Sequence, residues 1–203
     1  MRSRVMFLAL AAGLAVAIFL VSEAVQPGHA GPFTREAAAA PNNVQNARKL
    51  LQQGDGFRAR KDWDKAKRCY DAALKLFQSS NAQKFIMVTQ AIIEVCDEMP
   101  ALSLTKMKDG TYQGSSMGYV TDITVEVTVK SGKISSFRIV SHKENRALKS
   151  LETVPQQIVS RKTPSVDAYS GATITSYAVM NATMKALKQA QPPPKDDAKK
   201  KGD

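Results

Sequence analysis

The residues best placed to do chemistry lie in one short stretch, Asp167-Ala168-Tyr169-Ser170-Gly171-Ala172-Thr173-Ile174-Thr175. Three small residues, Ser170, Gly171 and Ala172, let a ligand approach the backbone closely. Two threonines then stand at the expected start of a helix. The first amides of a helix lack intrahelical partners, and its dipole adds partial positive charge, so an anion such as a phosphate is favoured there. The same residue types also serve as ordinary helix caps, and on local chemistry alone capping is the commoner use of Ser and Thr at such a place. Other chemistries lack their residues. The chain has no G-x-G-x-x-G and no P-loop. Ser170 lacks the glycine two positions earlier that a nucleophile elbow requires. Of two histidines, His142 alone lies outside the N-terminal region, and it reads as a solvated strand-end residue. No His, Cys or carboxylate group has metal-ligand spacing.

Around this stretch the hydrophobic pattern changes once. Over residues 44–99 it is helical, in three stripes: Ala47, Leu50, Leu51, Gly54 and Phe57; then Trp63, Ala66, Tyr70, Ala73, Leu74 and Phe77; then Phe85, Val88, Thr89, Ile92, Cys96 and Met99. The short break at Lys61-Asp62 makes the first two helices antiparallel neighbours. The spacing Leu50, Gly54, Phe57, Ala66, Tyr70, Ala73 resembles one tetratricopeptide repeat. A single repeat cannot bury its own apolar face, so the third helix must cap it or the unit must dock elsewhere. Such a unit serves either to bind a partner or to space the following domain.

Beyond Pro100 the period becomes two. Thr111 to Gln113 begins a short strand broken up by Gly114 and Gly118. Ile123, Val125, Val127 and Val129 alternate with polar residues, and Ser131-Gly132-Lys133 turns the chain into a second strand over 134–140. A helix over 146–160, interrupted near Pro155, precedes a final helix from about Thr175 to Ala190, apolar on the face of Val179, Ala182, Ala186, Leu187 and Ala190. The predicted architecture is α+β: an N-terminal tetratricopeptide-like helical hairpin unit at 44–99, then a small domain at 104–190 with an antiparallel sheet and a C-terminal helix. The lack of any apolar period over Pro100 to Thr105 predicts that the two parts fold separately. Residues 31–43, rich in Ala, Pro and Asn, read as a linker, and 191–203 as a disordered basic tail.

Arg2 and Arg4 before the apolar run Val5 to Val21 assign residues 1–30 to a signal peptide or membrane anchor. Cleavage sites are available after Ala24 and after Ala30. Either outcome places the remainder outside the cytoplasm, secreted or periplasmic. The formal net charge is +11 over 203 residues, but the lysines are scattered and no basic stripe interleaves with aromatics, so nucleic acid is not an expected partner. An exported chain can pair its two cysteines, Cys69 and Cys96; both also sit in apolar stripes, where free buried cysteine is common.

The motif Ser170-Gly171-Ala172-Thr173, with Asp167 ahead and Thr175-Ser176 behind, resembles the flavin-attachment motif of the FMN-binding domain family, which includes flavinylated subunits of sodium-translocating NADH:quinone oxidoreductase and of a related electron-transfer complex. Asp109-Gly110-Thr111-Tyr112 with Gly114, Gly118 and Tyr119 resembles the domain's opening, and Ile123 to Val129 followed by Gly132-Lys133-Ile134 its first hairpin. The resemblance spans roughly Lys108 to Leu187. One departure stands out: where the family often has an acid-threonine pair, this chain keeps Glu144 and lacks the threonine. The resemblance implies FMN bound covalently, as a phosphoester on Thr173, installed by a flavin transferase from FAD. Ser170, Gly171, Ala172, Asp167, Thr175, Tyr112 and Tyr119 would then surround the cofactor, with Met117 and Tyr169 as further candidates. The implied role is electron transfer between redox partner proteins at or outside the membrane, rather than that of a stand-alone enzyme. Two other readings stay open: a non-flavinylated adaptor working through the helical unit, and a flavin-dependent reductase of a small molecule.

Overall fold

The computed structural model describes residues 36–146 and 148–192. The element order is α1 (Glu36–Ala59), α2 (Trp63–Ser79), α3 (Gln83–Glu98), β1 (Gly110–Met117), β2 (Asp122–Lys130), β3 (Lys133–Ser141), α4 (Ser150–Arg161) and α5 (Thr173–Ala190). This is the α+β order expected. The segment 1–30 read as a signal peptide or anchor, and all but the first two residues of the tail expected at 191–203, lie outside the described residues. Among the described residues no helix is long and apolar enough to cross a membrane.

The three leading helices are joined by two turns of one kind. Lys61 and Asn81 are left-handed, with φ of 60° and 50°. Asp62 N–H bonds Phe57 O and Ala82 N–H bonds Phe77 O, while Lys61 and Asn81 donate to Arg58 O and Gln78 O. Each is a Schellman closure, which satisfies the last carbonyls of one helix and reverses the chain into the next. Between α1 and α2 the contact is close at Gly54: a Cβ there would stand 2.5 Å from the Tyr70 ring. Ala66, Tyr70, Ala73 and Phe77 are fully buried beneath it. One helical pair is not self-sufficient here either. Phe85 of α3 stacks on Phe77 at 4.8 Å, and α3 in turn packs on α5.

The sheet is an antiparallel meander in the order β1-β2-β3. Ile123, Val125, Val127 and Val129 are buried on one face of β2, as the two-residue period requires. The turn to β3 uses Ser131 and Gly132, both at positive φ (50° and 69°), which suits the right-handed twist of a tight hairpin. The first strand continues through Gly114 instead of breaking there. A Cβ at Gly114 would fall 2.1 Å from Ala182 O and 2.6 Å from Ala186 N; the glycine lets the α5 backbone lie directly on β1.

Four other expectations are corrected. Helix α1 begins at Glu36, inside the segment read as linker. Helix α4 runs through Pro155 without interruption. Helix α5 begins at Thr173, two residues earlier than expected. The two parts also do not stand apart: the described residues belong to one compact unit, because α5 is shared. Ile174 to Met184 are buried without exception, since one side of α5 packs on β1 and β2 and the other on α3. Tyr177 and Asn181 face the helices: Tyr177 Oη donates to Asp55 at 2.8 Å, and Asn181 Nδ2 donates to Ala91 O at 2.6 Å. Cys69 and Cys96 are free thiols. Burial pushes the Cys96 thiol up to about 12, which keeps it protonated and unreactive near neutral pH.

Candidate functional site

Thr173 opens α5, and Ala172 before it adopts a non-helical backbone without a side-chain cap. Ser176 N–H makes the first helical bond, to Ala172 O at 2.9 Å. The amides of Thr173, Ile174 and Thr175 are therefore the unpaired first-turn donors. Gly171, at φ 78°, reverses the chain just before them, and a Cβ there would meet nothing within 4 Å. The loop is pinned from behind. Ala172 N–H bonds Tyr169 O; the Ser176 hydroxyl accepts from Tyr169 N–H at 3.0 Å and donates to Ala172 O at 2.9 Å.

The two threonines differ sharply. Thr175 is buried and its hydroxyl donates to Glu144 Oε2 at 2.7 Å. It is neither a cap nor free for a phosphate. Glu144 is itself buried, and its other oxygen accepts Val120 N–H at 2.9 Å, which locks the 118–121 turn to the start of α5. Thr173 is half-exposed. Among the described residues nothing takes up its hydroxyl.

Thr173 borders a cleft of about 380 Å³, within the size range of small-ligand sites. One wall is Gly171 to Thr175 with Tyr119 and Arg146. The other is a stripe of α1, Arg48, Leu51, Gln52 and Asp55, with Phe85 of α3. Of the residues expected at the site, Gly171, Ala172, Thr173, Thr175 and Tyr119 meet in this cleft. Ser170 is exposed just outside it. Asp167 pairs with Arg161 at 2.8 Å and borders a different cleft. Tyr112 sits at the far end of β1, its hydroxyl donating to Lys108 O. Met117 and Tyr169 do not line the cleft either. The sequence reading missed Arg48, Asp55, Phe85 and Arg146. By spacing Phe85 belongs to a core stripe, and the other three resemble any solvated charge on a helix or loop.

Asp55 lines the cleft and is the part-buried centre of a hydrogen-bond network. It accepts from Arg58 at 2.9 Å, Tyr70 Oη at 2.8 Å and Tyr177 Oη at 2.8 Å. Arg58, 3% exposed, also donates to Tyr70 Oη, Ser165 Oγ and Val166 O. Burial opposes the charge on Arg58, but Tyr70 and Asp55 outweigh it and the guanidinium is held more firmly protonated than usual. Burial raises both phenols, Tyr70 and Tyr177, so each remains a proton donor. The network ties α1, α2, α5 and the 165–166 loop into one fixed frame behind the cleft.

Residues 118–188 match the model of the FMN-binding domain family, and this segment contains the Gly171–Thr175 wall, Tyr119, Glu144 and Arg146. This segment of the chain thus matches an FMN-binding domain. An uncharacterized protein of Treponema pallidum (strain Nichols) is 36% identical over 92 residues, covering 44% of this chain and 26% of that one. The NADH:acrylate oxidoreductase of Vibrio harveyi is 25% identical over 166 residues, covering 73% of this chain and 16% of that enzyme. The chain therefore spans about a quarter or less of the length of these relatives. The residues present fit FMN: a hydroxyl and three free amides suit its phosphate, and a cleft with two aromatic side chains suits its ring.

Proposed function

We propose that this chain is an exported electron-transfer flavoprotein that carries FMN as a phosphoester on Thr173. The observation behind the assignment is the contrast between the two threonines: the Thr173 hydroxyl is unengaged and borders the cleft, whereas that of Thr175 is buried on Glu144. A flavin transferase would use FAD as donor. The bond between Thr173 Oγ1 and the FMN phosphorus forms as the pyrophosphate bond of FAD breaks, AMP leaves and the hydroxyl proton is lost. The first-turn amides of α5 then neutralise the phosphate. The bound flavin supplies one- or two-electron redox chemistry; the chain fixes its position and electrostatic surroundings. A covalent tether also prevents a protein outside the cytoplasm from losing its cofactor.

The partners we infer are redox proteins at the membrane, reached through the N-terminal segment as leader or anchor. Purified from a host that exports it and supplies the transferase, the protein should be yellow, reducible by dithionite and heavier by one FMN minus one water. A colourless protein of unmodified mass would instead make it an adaptor acting through its helices. A C-terminal reporter enzyme active only after export should be active; activity from a cytoplasmic reporter alone contradicts the localisation.

A further inference from the structure

The wall of the cleft opposite Thr173 comes from residues that the family match does not include. Arg48, Leu51, Gln52 and Asp55 fall at helical spacings of three and four, so they form one stripe of α1 facing the cleft. Phe85 of α3 stands beside them. The Arg48 guanidinium lies 5.0 Å from the Phe85 ring centroid; over Tyr119 stand Lys84 Nζ at 3.8 Å and, on the cleft side, the Arg146 guanidinium at 5.9 Å. Among the described residues neither arginine makes an ion pair. The one carboxylate in the lining, Asp55, has its ion-pair partner in Arg58, which with Tyr70 and Tyr177 donates to its Oδ1. The cleft therefore presents two aromatic side chains and two uncompensated positive charges, next to the hydroxyl that would anchor a cofactor. Such a lining suits a planar aromatic group that acquires negative charge. A flavin ring does so on reduction, when two electrons and one proton leave it with one negative charge.

Resting on the assignment of FMN to Thr173, we propose that α1 and α3 complete the flavin site, with Arg48 over Phe85 and Arg146 over Tyr119 facing the ring and stabilising its reduced, anionic form. The helical unit is then part of the redox centre and not only a spacer or partner-binding module. Its charges raise the reduction potential of the carrier.

The test uses the full chain flavinylated by co-expression with the transferase, titrated with dithionite against a reference dye. Arg48→Gln should shift the two-electron equilibrium about tenfold toward the oxidised form, ~30 mV lower in potential, and Arg146→Gln should shift it in the same direction. Arg48→Lys should restore most of the potential. Lys49→Gln removes the same charge from the same helix outside the cleft and should match the native protein. All variants should keep the mass of one FMN per chain. Flavinylated Arg48→Gln protein with an unchanged or raised potential, or a shift equal to that of Lys49→Gln, overturns this inference while leaving the assignment of FMN to Thr173 intact. Absence of flavin from the native chain overturns both.

Discussion

The sheet with its covering helix α5 and the three-helix unit before it are built by different rules. In the sheet region, order comes from local pattern: β2 alternates residue by residue, β3 follows after a tight turn, and Gly114 lets α5 rest on β1. In the helical region the apolar stripes are equally plain, but the contacts that matter are long-range and polar. Arg58 reaches Ser165 and Val166 more than a hundred positions along the chain, and Asp55 gathers hydroxyls from α2 and α5. A family pattern captures the first region and passes over the second, yet the cleft at Thr173 has one wall from each.

The comparison breaks most visibly if the sheet region can live alone. A chain beginning at Leu104 would expose the side of α5 that carries Tyr177, Met180 and Asn181, and would strip Ser165 and Val166 of Arg58. It should be insoluble or fail to unfold cooperatively in urea. A sharp two-state transition would show that the helices are dispensable to the fold. A smaller effect contrasts two arginines of α1. Arg58→Ala leaves the part-buried Asp55 carboxylate without its cation and Val166 O without its donor, and should lower the unfolding free energy by about 1–3 kcal/mol, the usual result of leaving buried polar groups unpaired. Arg48→Ala, on an exposed side chain, should change it by no more than about 0.5 kcal/mol. Equal losses at the two positions would mean that the network is not the frame described above.

These contrasts also explain what was legible in the sequence. The strands of β2 and β3, the helical stripes and the antiparallel α1–α2 pair could be read because period and turn chemistry are local. In α5 the apolar spacing marks only the face of Val179, Ala182, Ala186, Leu187 and Ala190; Thr175, Ser176, Asn181 and Thr183 are buried as well, each with a specific acceptor, Glu144, Ala172 O, Ala91 O and Val179 O respectively, and no spacing rule announces that. The attachment loop could be recognised by its residues, but the difference between Thr173 and Thr175 depends on Glu144, some thirty positions away. Asp167 and Tyr112 looked like neighbours of the loop by motif and are held elsewhere, by Arg161 and by Lys108 O. Arg48 and Arg58 are the same residue type on the same helix, and only the fold separates a cleft-facing charge from a structural one.

Which hydroxyl carries the cofactor can be measured directly. Both threonines fall in the tryptic peptide 163–185, so fragmentation mass spectrometry of that peptide from native, Thr173→Ala and Thr175→Ala protein decides it. The FMN phosphoester should map to Thr173 in the native chain, vanish in a folded Thr173→Ala protein and persist in Thr175→Ala. Flavin on Thr175, or an undiminished mass increase in Thr173→Ala, would contradict the account.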